Sequence, residues 1–158
     1  MTSTAKPPAS GTFVVITAAR PEQLIDFLRA AFDFVPNAVH RDAAGAVAHA
    51  QLDWPGGGSV LISPVNSEGP WIRPAGSAGV HLFATDVDAA FERARVAGAE
   101  LLAGLTTTSY GAREFVARDP EGNLWSVGTY AGEPHSGPFG SGGLRPDEVG
   151  TRRGPQRS

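Results

Sequence analysis

The chain contains no cysteine at any of its 158 positions. Disulfides, thiolate metal sites and cysteine nucleophiles are thereby excluded. Charge is scarce as well: Asp, Glu, Lys and Arg make up 18%, and the formal net charge is −3. A mildly acidic balance does not attract a polyanion, so no nucleic-acid partner is expected. No segment approaches the run of roughly 18 apolar residues that a membrane span needs. Met1 to Gly11 carries Lys6, Pro7 and Pro8 and no apolar stretch, unlike a signal peptide. A soluble, cytoplasmic protein is the expectation. Two catalytic signatures are also missing. Gly56-Gly57-Gly58 is not followed by Lys-Ser/Thr and opens a strand, so it is no phosphate loop. No Gly-x-Ser-x-Gly elbow occurs, Ser141 coming nearest.

What the chain does hold is enough for one domain with a core, and too little for two ordinary ones. Its 20 Gly and 13 Pro concentrate near the ends and in turns. Residues 1–11 and 132–158 show no hydrophobic periodicity and read as disordered tails, the second ending in Arg145, Arg152, Arg153 and Arg157. Between them lies one domain, 12–131, in two parts of about 12–66 and 78–131.

Phe13 to Thr17 is a β-branched run and reads as a strand. Arg20-Pro21-Glu22 opens a helix of about 21–33, because proline suits the first helical position and glutamate the positive end of the dipole. Leu24, Phe27, Leu28, Ala31 and Phe32 recur at helical spacing. Strands follow around Val39, at Val47 to Leu52 and at Ser59 to Ser63. The order then repeats. Val80 to Ala84 reads as a strand, and Asp86 as the N-cap of a helix of about 87–97 that stops at Gly98. Glu100 to Leu102, Arg113 to Arg118 and Asn123 to Gly128 are the remaining strands. Overlaying Arg20 on Asp86 puts Gly45 on Gly111 and Asp53 on Asp119. A two-residue slip after Asp53 then brings Val60-Leu61 onto Leu124-Trp125. The expected fold is α+β: two tandem βαβββ modules.

These residues carry a resemblance. Gly79 to Ala90, Glu92 to Glu100, Tyr110-Gly111-Ala112-Arg113 and Arg118 to Trp125 resemble a module of the vicinal oxygen chelate superfamily. This is the superfamily of glyoxalases, bleomycin-resistance proteins and ring-cleaving dioxygenases, and the pattern is most similar to its PhnB-like branch. Ile25 to Phe32 and His49 to Leu52 extend the likeness to the first half. The resemblance implies that each module curves a mixed sheet into half a cup. It also implies a cavity for a small organic molecule, an antibiotic or a metabolite, and a homodimer. Metal-dependent members set ligands on the first and last strand of each module. Here those positions fall on Phe13, Ile62, Gly79 and Ser126, none of them His, Asp or Glu. His81 lies on the same strand face as Gly79 but about 6.6 Å along, too far to replace a ligand at about 2 Å. No metal and no other cofactor is therefore expected.

His81 is expected to face the cavity, as a general base or a hydrogen-bond donor, or simply as a histidine bound to a backbone carbonyl. His49 and Gln51 share a strand face with Asp53, and either line a pocket or meet water. Trp54 and Trp71, in Gly/Pro-flanked segments, are candidates to wall a pocket or a dimer groove. Trp125 reads as core. Tyr110 with Gly111 reads as a hairpin turn, its phenol a candidate for the cavity rim. Arg113 either clamps a ligand carboxylate or makes a salt bridge. Ser126 lines the cavity. Two functions follow as expectations: a metal-free small-molecule binder, or a lyase, isomerase or cyclase that uses His81. A metal-dependent glyoxalase or dioxygenase with shifted ligands ranks behind both.

Overall fold

The computed structural model describes residues 12–133. The flanks expected to be tails, 1–11 and all of 132–158 beyond Glu133, lie outside the described residues. Chain order is β1 (Phe13–Ala18), α1 (Pro21–Phe32), β2 (Val35–Arg41), β3 (Val47–Asp53) and β4 (Ser59–Pro64). It continues with β5 (Gly79–Phe83), α2 (Val87–Val96), β6 (Glu100–Thr107), β7 (Arg113–Arg118) and β8 (Leu124–Gly128). The fold is α+β, with two tandem βαβββ modules as the repeat predicts. Each module is a four-stranded mixed sheet, ordered β1-β4-β3-β2 and β5-β8-β7-β6. β1 runs parallel to β4, and β5 to β8, while the other pairs are antiparallel.

The helix ends follow from their residues. The Asp86 carboxylate accepts the Ala89 N–H at 3.0 Å and so caps α2. At its other end Gly98 takes φ +81°. Gly98 and Ala99 donate their N–H groups to Arg95 and Ala94 carbonyls, closing a Schellman turn. In α1 the left-handed residue is Asp33, at φ 58°, and its carboxylate pairs with Arg93 of α2 at 3.0 Å.

One face of each sheet carries the core. Val14, Ile16, Ala50, Leu52, Val60 and Ile62 point to the helix side of the first sheet, and Leu82, Phe115, Trp125 and Val127 to that of the second. The two helix sides share a single core. Phe32 and Phe34 lie 5.3 and 5.7 Å from the Trp125 ring, and α1 packs on α2. Trp125, Phe32 and Phe115 are at most 1% exposed, each burial contributing about 1.5–3 kcal/mol. Among the described residues, no helix packs on the opposite, open faces of the sheets.

Two readings of the sequence need correction. β6 runs to Thr107 and not to Leu102. Register shifts at Leu101/Ala103 and Ala103/Thr106 break its alternation, so no period-two pattern marks it. The slip between modules is one residue and sits inside β3. His40 pairs with His49 and Arg41 with Val47, leaving Ala48 as a bulge; β7 has no equivalent. Val15 therefore faces Leu61 as His81 faces Ser126. The counterpart of Ser126 is Leu61, not Ile62, which is 0% exposed among the core residues. The counterpart of Asp119 is Trp54, since both N–H groups close the same turn, on Asn123 and Gly58.

Candidate functional site

On the open face of the second sheet, β5 and β8 bring His81 beside Ser126. Nδ1 of His81 lies 3.1 Å from Ser126 Oγ, and Nε2 lies 3.1 Å from the Tyr130 carbonyl oxygen. A carbonyl only accepts, so the neutral ring carries its proton on Nε2. Nδ1 is then left to accept from the Ser126 hydroxyl. The Tyr130 ring stands 6.2 Å from His81 and 6.0 Å from Tyr110, edge-on to both. Phe83 and Leu124 are 41% and 42% exposed beside them. Tyr130 was not singled out in the sequence, because it follows the last strand and contributes a backbone atom that no motif marks.

The first sheet's open face is different. A hollow of about 270 Å³ is lined by Val15, His49, Leu61, Ser63 and Trp71. Trp71 belongs to the segment joining β4 to β5, and Arg73 nearby donates its N–H to Thr17 Oγ1 at 3.1 Å. That bond holds the segment across the end of the sheet, with Trp71 72% exposed. His49 is stacked with His40 across β2 and β3, centroids 6.4 Å apart. Gln51 is tied down: its amide donates to Asp53 at 2.9 Å. Ser59 and Asn37 donate to the same carboxylate at 2.8 and 2.6 Å. Asp53 thus organises the floor beside His49.

Trp54 is placed elsewhere. Its ring packs on Phe34 at 5.3 Å and lines a crevice of about 380 Å³ between the modules, with Val14, Val80 and His81. Arg113 is engaged by Asp88 of α2 through two bonds of 2.9 and 2.8 Å, so its guanidinium serves the helix–sheet joint. Hydrogen bonding to Arg113 holds the Asp88 carboxyl below its ordinary value. The structure therefore brings together His81, Ser126 and Tyr110 on one face, and His49, Gln51 and Trp71 on another. A larger hollow, about 830 Å³, lies at the start of α1 beside Arg20 and Glu22. The backbone N–H groups of Ala19 and Arg20 there are already taken by Glu121.

The family model of the Glyoxalase/Bleomycin resistance protein/Dioxygenase superfamily matches residues 12–127, the whole two-module unit. The chain belongs to this superfamily. An uncharacterized protein of Mycobacterium tuberculosis (strain H37Rv) is 35% identical over 130 residues, covering 78% of this chain and 74% of its own. TioX from Micromonospora sp. ML1 is similar in structure with a TM-score of 0.65 and 30% identity, over 75% of this chain and 97% of TioX. TnmS3, an antibiotic binding protein from Streptomyces sp. CB03234, shares the fold at 22% identity and a TM-score of 0.60, over 78% of this chain and 97% of its own.

Within the superfamily, the corrected positions for metal ligands read Phe13, Leu61, Gly79 and Ser126. A benzyl group, an isobutyl group, a hydrogen and a hydroxyl do not make a divalent-metal donor set. The hydroxyl is besides committed to His81. Among the described residues no three His, Asp or Glu side chains converge. The residues at these four positions do not fit a divalent metal.

Proposed function

We propose that this superfamily member binds a small, flat organic molecule, an antibiotic or a metabolite, on the open face of the first sheet, and that a second copy of the chain completes the site. The observation that carries this reading is the half-built hollow on the first sheet. Its apolar floor of Val15 and Leu61 and its exposed Trp71 wall come from the first module and the joining segment alone. Because the helix sides of both sheets are spent on the shared core, the two open faces cannot close on each other. A homodimer supplies the missing wall over the first sheet, and covers Phe13 at the same time. The likeness to TnmS3 supports the antibiotic class of ligand. No described helix is long and apolar enough to cross a membrane, which accords with a cytoplasmic binder.

The test is a fluorescence titration with polycyclic aromatic antibiotics. Indole emission is expected to be quenched with saturation at one ligand per chain, and Trp71→Ala to abolish most of the change. Quenching that persists undiminished in Trp71→Ala would reject this face as the site.

The competing lyase or isomerase reading needs His81 as a base toward the ligand. Both ring nitrogens are occupied, one by Ser126 and one by Tyr130, which favours the binding reading.

A further inference from the structure

The arrangement around His81 satisfies a different requirement. A hydroxyl nucleophile needs a base within hydrogen-bond reach, and that base needs a third group to orient it. Ser126 Oγ stands 3.1 Å from Nδ1. The Tyr130 carbonyl, 3.1 Å from Nε2, fixes the tautomer that leaves the Nδ1 lone pair facing the hydroxyl.

Room exists for a substrate beside the pair. Ser126 lies in the middle of β8, on the open face. Gly79 begins the neighbouring strand β5, and a Cβ built there would meet nothing within 4 Å. Leu124 and Phe83, both over 40% exposed, give that space apolar sides suited to an aryl or alkyl group.

We infer that Ser126 and His81 form a nucleophile–base pair that accepts acyl groups from small apolar esters with a good leaving group, such as aryl esters. Ser126 Oγ attacks the ester carbonyl carbon, and the bond from that carbon to the aryloxide breaks. The hydroxyl proton passes to Nδ1 and from there to the departing aryloxide. The acyl group remains on Oγ as an ester. Water, deprotonated by the same nitrogen, then cleaves that ester, releasing the carboxylic acid and restoring the hydroxyl. No oxidant, reductant or metal enters the balance. This activity goes beyond ligand binding and is independent of it, since it uses the second sheet's open face and not Trp71.

The experiment uses the full chain and p-nitrophenyl acetate. The expected result is a burst of p-nitrophenolate approaching one equivalent per chain, with one acetyl group mapped by peptide mass spectrometry to Ser126. His81→Gln, which keeps a hydrogen bond but cannot shuttle a proton, is expected to slow the burst by about 10²–10⁴-fold. Ser126→Ala is expected to abolish it. Mapping the acetyl group on the unaltered chain needs no variant to fold. Absence of a Ser126 adduct, or acetylation confined to Lys6, His40 or His49, would overturn the proposal. Failure here, with antibiotic titration intact, would leave the binding reading standing.

Discussion

Glu121, on the turn between β7 and β8, caps the helix of the other module at Arg20. Its carboxylate accepts the backbone N–H of Arg20 at 2.6 Å and of Ala19 at 2.8 Å. Arg20 stands at the N-cap of α1 and provides no side-chain cap of its own; its guanidinium returns to the Pro120 carbonyl at 3.3 Å. The equivalent helix α2 is capped by its own Asp86, so the clasp has no mirror in the repeat. Gly76 lies against the same turn, where a Cβ would come 2.5 Å from the Glu121 carbonyl oxygen.

Removing that carboxylate leaves the Ala19 and Arg20 N–H groups, just ahead of α1, without their acceptor and removes one tie between the modules. Glu121→Ala is expected to lower stability by about 0.5–2 kcal/mol, with Glu121→Gln losing less because its amide oxygen still accepts. Urea midpoints of the two variants check the order. Equal midpoints for Ala and the unaltered chain would refute the clasp.

Asp119 should matter more. It is 4% exposed, and its carboxylate accepts from the N–H groups of Glu121 and Asn123, the Asn123 amide and the Trp125 indole. Each buried donor left unpaired costs about 1–3 kcal/mol. Asp119→Ala is therefore expected to cost at least about 3 kcal/mol, with Trp125 emission shifting to the red. Asp119→Asn should also destabilise, because one oxygen becomes a donor facing donors.

Asp88 and Arg113 give a pH dependence. The Arg113 hydrogen bond depresses the folded-state pKa of Asp88 from its ordinary 3.8. A depressed carboxylate adds stability that is complete above the unfolded value and is lost as pH falls through the folded one. The stability gap between the unaltered chain and Arg113→Gln is thus expected at neutral pH and should close in acid, below the ordinary aspartate range. Denaturation curves across that range, with carbon NMR titration of Asp88, measure both ends of the linkage. A gap that widened in acid would contradict it.

Trp71 separates folding from recognition. At 72% exposure, its truncation is expected to shift stability by no more than about 0.5 kcal/mol. It should weaken an aromatic ligand by about 0.5–1.5 kcal/mol through lost stacking. Light scattering at micromolar concentration should find a dimer; a monomer that still binds ligand would refute completion of the site by a second copy.

Much of this protein was legible in the order of its residues. The two βαβββ units, both helices, the Asp86 cap, the Gly98 stop and the burial of Trp125 all follow from local spacing, because helix periods, caps and turns depend on neighbours in sequence. The Asp-Pro-Glu-Gly-Asn-Leu-Trp stretch was visible as a motif, though not why each member is there. Its aspartate, asparagine and tryptophan close one hydrogen-bonded turn, and its glutamate reaches Arg20, 101 positions upstream in the chain. Other features depend on how distant strands align. A bulge at Ala48 made Leu61 rather than Ile62 the partner position of Ser126. Parallel pairing of β5 with β8 set His81 against Ser126. Packing of α2 on the second sheet joined Arg113 to Asp88. Strand alternation tells which side a residue faces, but a one-residue change of register alters every partner it meets. That register is settled only when the whole core closes, and with it the chemistry of the open faces.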